Sequence, residues 1–386
     1  MSLERQFAVC VVSIVILTSG APELLPDAAD AVDVQPRLAN AQVTTRALVH
    51  GLEQEFHAVV AEQATPAWIG YAVPMVPGEH RMCCSSDGHD SSGEWCGKCW
   101  LEEQRSSSVS LAKADRGSTP QHVSLESGQQ ILVLFRVEGK RAKKIRVFSE
   151  DCELDAGGLP VFWLKGVSPA ESVGLLTVFV SRGFPPGHEG REEEDASDRL
   201  GDAALSALAM HAGPEADQAL GKFVSAGEPE GLREKASFWL GAARARRGYE
   251  ILSRLVRQDP SDGVREKAVF ALYVSKQPEA VGEIVRAARD DSSPHVRGQA
   301  LFWLGQKAGQ KAERAITEAI ERDPETEVKK KAVFALSQLP KEEGVPLLIQ
   351  VARANRNPSV RKQAMFWLGQ SNDPRALAFF AEVLQK

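Results

Sequence analysis

From Arg199 onward the chain repeats itself every 32 residues, and no other feature of the sequence limits its fold as tightly. LREKASFWLG starts at Leu232, VREKAVFALY at Val264, VRGQALFWLG at Val296, VKKKAVFALS at Val328 and VRKQAMFWLG at Val360. A degenerate copy, LGDAALSALA, starts at Leu200, which makes six units, the last one short. Within a unit, Val328, Ala332, Ala335, Leu336 and Leu339 lie on one stripe of an amphipathic helix. A second helix is expected over Ala312–Glu321, with Ile316, Ala319 and Ile320 on one face. Asp259-Pro260, Ser293-Pro294, Asp323-Pro324 and Asn357-Pro358 separate the units. Each is a capping side chain followed by a residue that ends one helix and suits the start of the next. A lone helix pair cannot bury its apolar face, but stacked pairs can. Residues 199–386 are therefore expected to form an all-α solenoid of six 32-residue helix pairs.

The V-R-x-x-A-x-F-x-L core and the Asp-Pro turn resemble the short bacterial HEAT-like repeats, including those named after phycobilisome lyases. The resemblance spans about half the chain. It implies a HEAT-like α-solenoid and, for function, a scaffold, an assembly factor or, in a few members, an enzyme. HEAT-type hydroxylases carry paired His-Glu motifs on their repeats. This array has only His211 and His295, neither followed by Glu, so that chemistry is not expected.

A second period lies inside the first. The residue after the recurring Phe runs Trp239, Ala271, Trp303, Ala335, Trp367, and two positions on it runs Gly241, Tyr273, Gly305, Ser337, Gly369. A close-packed core cannot hold Trp at every level without strain. The alternation is thus expected to be size complementarity between neighbouring units, with the indoles buried. The other reading is an aromatic ladder for a bilin-like or hydrophobic ligand. The basic residues Arg233, Arg265, Arg297, Lys329 and Arg361 recur beside the opening apolar residue, and Lys330 and Lys331 add charge in the fifth unit. A cation in a helix's first turn is mildly disfavoured by the dipole, so a local acidic partner is expected, such as the Asp of the turn between units. The alternative is a positive stripe for an acidic partner, with Arg233, Arg265, Arg297, Lys329, Lys330 and Arg361 as the candidate contacts.

The first half differs in texture. Residues 1–198 carry a net −11 and the rest +5, too mild a basicity for a phosphate-tracking surface. Residues 1–21 pair Arg5 with the apolar run Phe7–Leu17 and small residues at 19 and 21, the pattern of a secretory signal. Cleavage after 31 is the second choice. The run is too short to span a bilayer. Residues 40–183 read as an α+β domain: a helix over 43–63, then strands in AWIGYAVPMV, SVSLAK, HVSLE, ILVLFRV, KIRVFSE and VFWLKGV. Gly139-Lys140 marks a hairpin turn, and Ser168-Pro169-Ala170-Glu171 a capping box opening a helix to about Ser181. Residues 184–198 form an acidic linker.

All six cysteines lie at or before Cys152. Cys83, Cys84, Cys96, Cys99 and Cys152 leave three readings open. These are disulfides tying a Ser/Gly/Asp-rich loop to the domain with Cys152 as one partner, a zinc site, and a redox CxxC at Cys96–Cys99. His80 and His89 lie in the same loop. There is no phosphate-binding Gly loop and no GxSxG. The expected protein is an exported, periplasmic or extracellular, non-catalytic scaffold. It would bind a protein partner through the solenoid and need no cofactor, nucleic acid or stable membrane span. A bilin lyase-like or other assembly enzyme, and an envelope redox or metal sensor, are the alternatives.

Overall fold

A computed structural model describes residues 34–78, 99–102, 129–185, 196–307 and 309–385. The signal-like segment, Cys83, Cys84, Cys96, His80, His89, the strands expected in SVSLAK and HVSLE, and most of the linker lie outside them. The α+β region contains β1 (Arg37–Ala39), β2 (Gln42–Ala47), α1 (Leu52–Glu62), β3 (Ala67–Pro74), β4 (Cys99–Trp100), β5 (Gln130–Glu138), β6 (Arg141–Ser149), β7 (Glu153–Asp155), β8 (Pro160–Lys165) and α2 (Pro169–Gly183). Strands pair as β2-β8-β3-β5-β6, with β2–β8 and β8–β3 parallel and the rest antiparallel. A small parallel sheet, β1-β7-β4, covers one face.

Alternation along the strands builds two cores. From β3 and β5, Ile69, Tyr71, Val73, Val133 and Phe135 face α1 and α2. Trp68, Leu132, Leu134 and Trp163 face the small sheet with Leu101, Leu154, Cys99 and Cys152. Gly70 is small because the Trp163 indole fills the space above it, and an added Cβ would lie 2.8 Å from the ring. The hairpin turn at Gly139-Lys140 is present, with φ of 58° and 59°, the left-handed pair that a two-residue turn demands. The capping box is present too: Ser168 Oγ accepts from Glu171 N–H, and the Glu171 carboxylate accepts from Ser168 N–H.

One expected element is corrected. Residues 43–47 are not the start of a helix. The β-branched run Val43-Thr44-Thr45 pairs with β8 instead, and the helix opens only after Gly51, at φ 85°. The apolar spacing that suggested the helix is retained in Leu52, Phe56 and Val59, all buried.

The array follows as helix pairs: α3 (Ala196–Ala209) with α4 (Pro214–Phe223), α5 (Glu230–Ala243) with α6 (Ala245–Gln258), α7 (Asp262–Val274) with α8 (Ala280–Asp290), α9 (Pro294–Lys307) with α10 (Gln310–Arg322), α11 (Thr326–Ser337) with α12 (Lys341–Ala354), and α13 (Pro358–Gln370) with α14 (Pro374–Leu384). The predicted stripe of α11 is buried throughout. Second helices carry a small residue at one fixed place, Ala216, Gly248, Ala280, Ala312, Gly344 and Ala376, all buried. At Gly248 and Gly344 a side chain would strike the carbonyl of the preceding first helix, at Leu240 and Leu336. Close crossing within each unit therefore rests on this position.

The turns differ in part from expectation. Asn357 caps α13 ahead of Pro358, as the sequence suggests. Asp259 and Asp323 instead close the preceding helix, and the next helix starts three residues further on. Sheet and array share one continuous core, running from Leu52 to Phe379. The backbone joins them as well. Val76 N–H donates to Met210 O at 2.8 Å, and Ala212 N–H to Pro74 O at 2.8 Å, extending β3 onto the segment after α3. The α+β region thus caps the first end of the solenoid, the role a polar terminal repeat plays in other arrays.

Candidate functional site

The recurring basic residues form an internal ladder. Arg265 in the first turn of α7 donates through Nε and Nη2 to both oxygens of Asp291, each at 2.9 Å, and through Nη1 to Asp259 O and Pro260 O. Arg297 does the same to Asp323, at 2.7 and 3.1 Å, and to Asp291 O and Ser292 O. Arg233 makes a looser pair with Asp259 at 3.4 Å. Each Arg therefore ties the turn before its unit to the turn after it. The Asp291 and Asp323 carboxylates beside them hold the Arg265 and Arg297 guanidinium groups above their ordinary pKa. Two planar forks meeting two-pronged carboxylates suit this geometry. Arg233, Arg265 and Arg297 are 5, 9 and 7% exposed. Their placement is that of the expected structural ladder, and the alternative reading of these three as partner contacts has little exposed surface to rest on. Lys329, Lys330 and Arg361 are half-buried. Lys330 meets Glu327 at 3.0 Å, and Arg361 donates to Asn355 O and Arg356 O.

The recurring aromatics run along the first helices in unbroken ring contact. The order is Trp239, Phe238, Phe270, Trp303, Phe302, Phe334, Trp367, Phe366, with centroids 4.7–6.1 Å apart. Phe238–Phe270 and Phe302–Phe334 stack at 17° and 11°. The indoles are half-buried, not core as expected, while Ala271 and Ala335 are fully buried. The reason lies in the paired positions. Gly241 meets Ala271 so closely that a Cβ would collide with its carbonyl, and at Gly305 a Cβ would lie 2.9 Å from the Ala335 carbonyl. At the interface between these two, the same positions hold Tyr273 and Trp303, whose rings lie 4.6 Å apart, tilted by 32°. Size complementarity therefore holds, but the large residues fill a wedge open to solvent. Phe238 and Phe366 are exposed.

A polar group that sequence reasoning missed sits where the α+β region meets the array. Tyr71, Ser172 and His211 are all fully buried. Ser172 Oγ is 2.8 Å from Tyr71 Oη and 2.7 Å from His211 Nε2, and His211 Nδ1 is 2.8 Å from Ala207 O. A carbonyl only accepts, so Nδ1 carries the proton. Nε2 then accepts from Ser172, and Ser172 accepts from Tyr71. Burial, aided by the Arg244 charge, pushes His211 down to about 4, and burial pushes Tyr71 above its ordinary value. Arg244 itself donates to Ala209 O, His211 O and the Asp217 carboxylate. Residues from β3, α2 and the loop after α3 are far apart in sequence, so no spacing announces this cluster. Its hydroxyl is sealed from solvent and serves as a bolt, not a nucleophile.

Cys99 and Cys152 are both buried in the second core, and Cys99 lies in register with Leu154 across β4 and β7. No group of His, Cys, Asp and Glu among the described residues is arranged to hold a metal ion. No described helix is long and apolar enough to cross a membrane.

Residues 312–386 match the family model of HEAT repeats. No curated protein sequence matches the chain. Among solved structures, human deoxyhypusine hydroxylase in complex with glycerol is 20% identical, with a TM-score of 0.23 over 55% of this chain and 90% of that one. The complex of CpcE and CpcF of phycocyanin lyase from Nostoc sp. PCC7120 is 17% identical, with a TM-score of 0.32 over 42% of this chain and 97% of that one. Neither likeness carries an activity or a substrate to this chain. With helix pairs recurring at 32 residues, the helical half of the chain is an α-solenoid, and its last units, residues 312–386, are similar to HEAT repeats.

Proposed function

We propose that the protein is an exported scaffold that binds a protein partner along the ridge of its first helices. The observation that carries this reading is the aromatic ribbon from Trp239 to Phe366, partly open to solvent and unbroken across the units α5 to α13. Aromatic side chains on a rigid array supply contact area at low entropic cost, and solenoids bind through extended surfaces. Charge along the same helices grows more positive toward the last units: in α5 and α7 Glu234 and Glu266 stand next to Lys235 and Lys267, whereas α11 and α13 carry Lys330, Lys331 and Lys362. A partner segment with one acidic end would find one orientation. Partial burial, with the neighbouring Glu230 and Glu266 carboxylates, raises the Glu234 pKa against the opposing pull of Lys267. Export from the leader-like residues 1–21 agrees with a Cys99–Cys152 disulfide, which the shared burial of the two residues supports.

The test is cross-linking in the native host, comparing wild type with Phe238→Ser/Phe302→Ser/Phe366→Ser. The reading predicts one discrete partner that the variant loses while its melting temperature stays within a few degrees. An identical cross-linking pattern for a folded variant overturns it.

A further inference from the structure

The charged ladder keeps its Arg and Asp at three interfaces, two-pronged at two of them and looser at the first, and changes residue types at the fourth. The acceptor 26 residues beyond each cation runs Asp259, Asp291, Asp323 and then Asn355, while the cation runs Arg233, Arg265, Arg297 and then Lys329. Both members of the fourth rung differ at once. Lys329 Nζ donates to Glu321 O at 2.9 Å, where the arginines of the sealed rungs reach a carboxylate. Asn355 retains half of the aspartate's task. Its Oδ1 accepts Asn357 N–H at 2.9 Å, as Asp291 Oδ1 accepts Ser293 N–H and Asp323 Oδ1 accepts Glu325 N–H. The group left over is Nδ2, a donor, where the other rungs have a carboxylate oxygen.

Lys329 and Asn355 line a cavity of about 530 Å³ between α10 and α12, with Arg356, Glu321 and apolar walls from Ile320 and Leu347. Two cations there face one carboxylate. The corresponding groove of about 490 Å³ between α6 and α8 sets Arg257, Arg265 and Arg286 against four acidic groups, and its rung is sealed by Asp291. The fourth rung thus presents an ammonium and an amide donor to a space of ligand size with the balancing anion missing.

We propose that this open rung binds a carboxylate, held by Lys329 Nζ and Asn355 Nδ2 in place of the absent aspartate, with the carbon chain of its bearer against Ile320 and Leu347. The site stands whether or not the ridge of first helices binds a protein. The carboxylate can belong to a small organic acid or to an acidic side chain of a peptide. Two probes separate these sources: glutarate, and a tripeptide Ala-Glu-Ala blocked at both ends.

Each probe is titrated calorimetrically at low salt into the full chain, into Lys329→Gln, and into the double variant Lys329→Arg/Asn355→Asp. The double variant copies a rung the molecule already uses and so folds. Saturable binding of either probe to wild type is expected, weakened about tenfold or more in both variants, the scale of a lost charge-assisted hydrogen bond. The double variant is also expected to melt no lower than wild type. The tighter probe names the source. Absence of saturable binding of both probes, or equal binding by wild type and the double variant, overturns the proposal.

Discussion

Two kinds of interface alternate along the array. Between α5 and α7, and between α9 and α11, the backbones press together at Gly241 on Ala271 and Gly305 on Ala335. Between α7 and α9 the same positions hold Tyr273 against Trp303, and between α11 and α13 Phe334 packs on Trp367. One 32-residue module therefore tiles with a period of 64. Volume removed at a close interface returns as an indole at the next, and the indole sits at the solvent edge, where it also forms the ribbon. Packing and surface are set by one choice of residue.

Breaking a rung that both interface types share gives the largest expected effect. Asp291→Ala leaves Arg265 buried without its carboxylate and should cost about 3–5 kcal/mol, read as a fall in the denaturation midpoint. The junction with the α+β region adds to the shared core a polar cluster whose pH dependence is set by one buried imidazole. His211 titrates near 4 in the folded chain and near 6.5 unfolded. The unfolded state takes up the proton between those values and the folded state does not, so stability is complete above pH 6.5 and falls as pH drops toward 4. The slope is about 1.4 kcal/mol per pH unit and the total loss about 3 kcal/mol. Unfolding curves for wild type and His211→Gln over this range should differ by that slope. Equal slopes would remove the bolt from the account. Trp303→Ala should cost about 3 kcal/mol, the low end for large aromatics because the indole is half-buried. It acts on an aromatic interface alone, so Ala335→Gly, at a close one, should combine with it additively.

The array was legible because its contacts are local and repeated. The buried stripe of α11, the helix pairs and the Gly/Tyr and Trp/Ala alternation all follow from spacing. The ladder was half legible. An acidic partner for the recurring cations could be expected, and the 26-residue interval to Asp259, Asp291 and Asp323 lies in the sequence, but only their burial shows that Arg233, Arg265 and Arg297 face inward. The α+β region was less legible because its pairings are distant. Residues 43–47 carry helix-like spacing, yet β8, 118 residues further on, claims them as a strand. The short strands β1, β4 and β7 are too brief to leave a pattern. Tyr71, Ser172 and His211 meet only through the docking of sheet on array.

The alternation itself is tested most directly by two alanines at equivalent positions. Gly241 lies under the Ala271 carbonyl, whereas Gly369 has no atom within 4 Å of an added Cβ. Both sit late in a first helix, where alanine favours the helix by about 0.5–1 kcal/mol. Chemical denaturation of Gly241→Ala and Gly369→Ala should therefore give opposite signs, with the first losing about 1–3 kcal/mol to overpacking and the second gaining slightly. If both variants are stabilised alike, the close interface does not exist and the 64-residue period needs another cause.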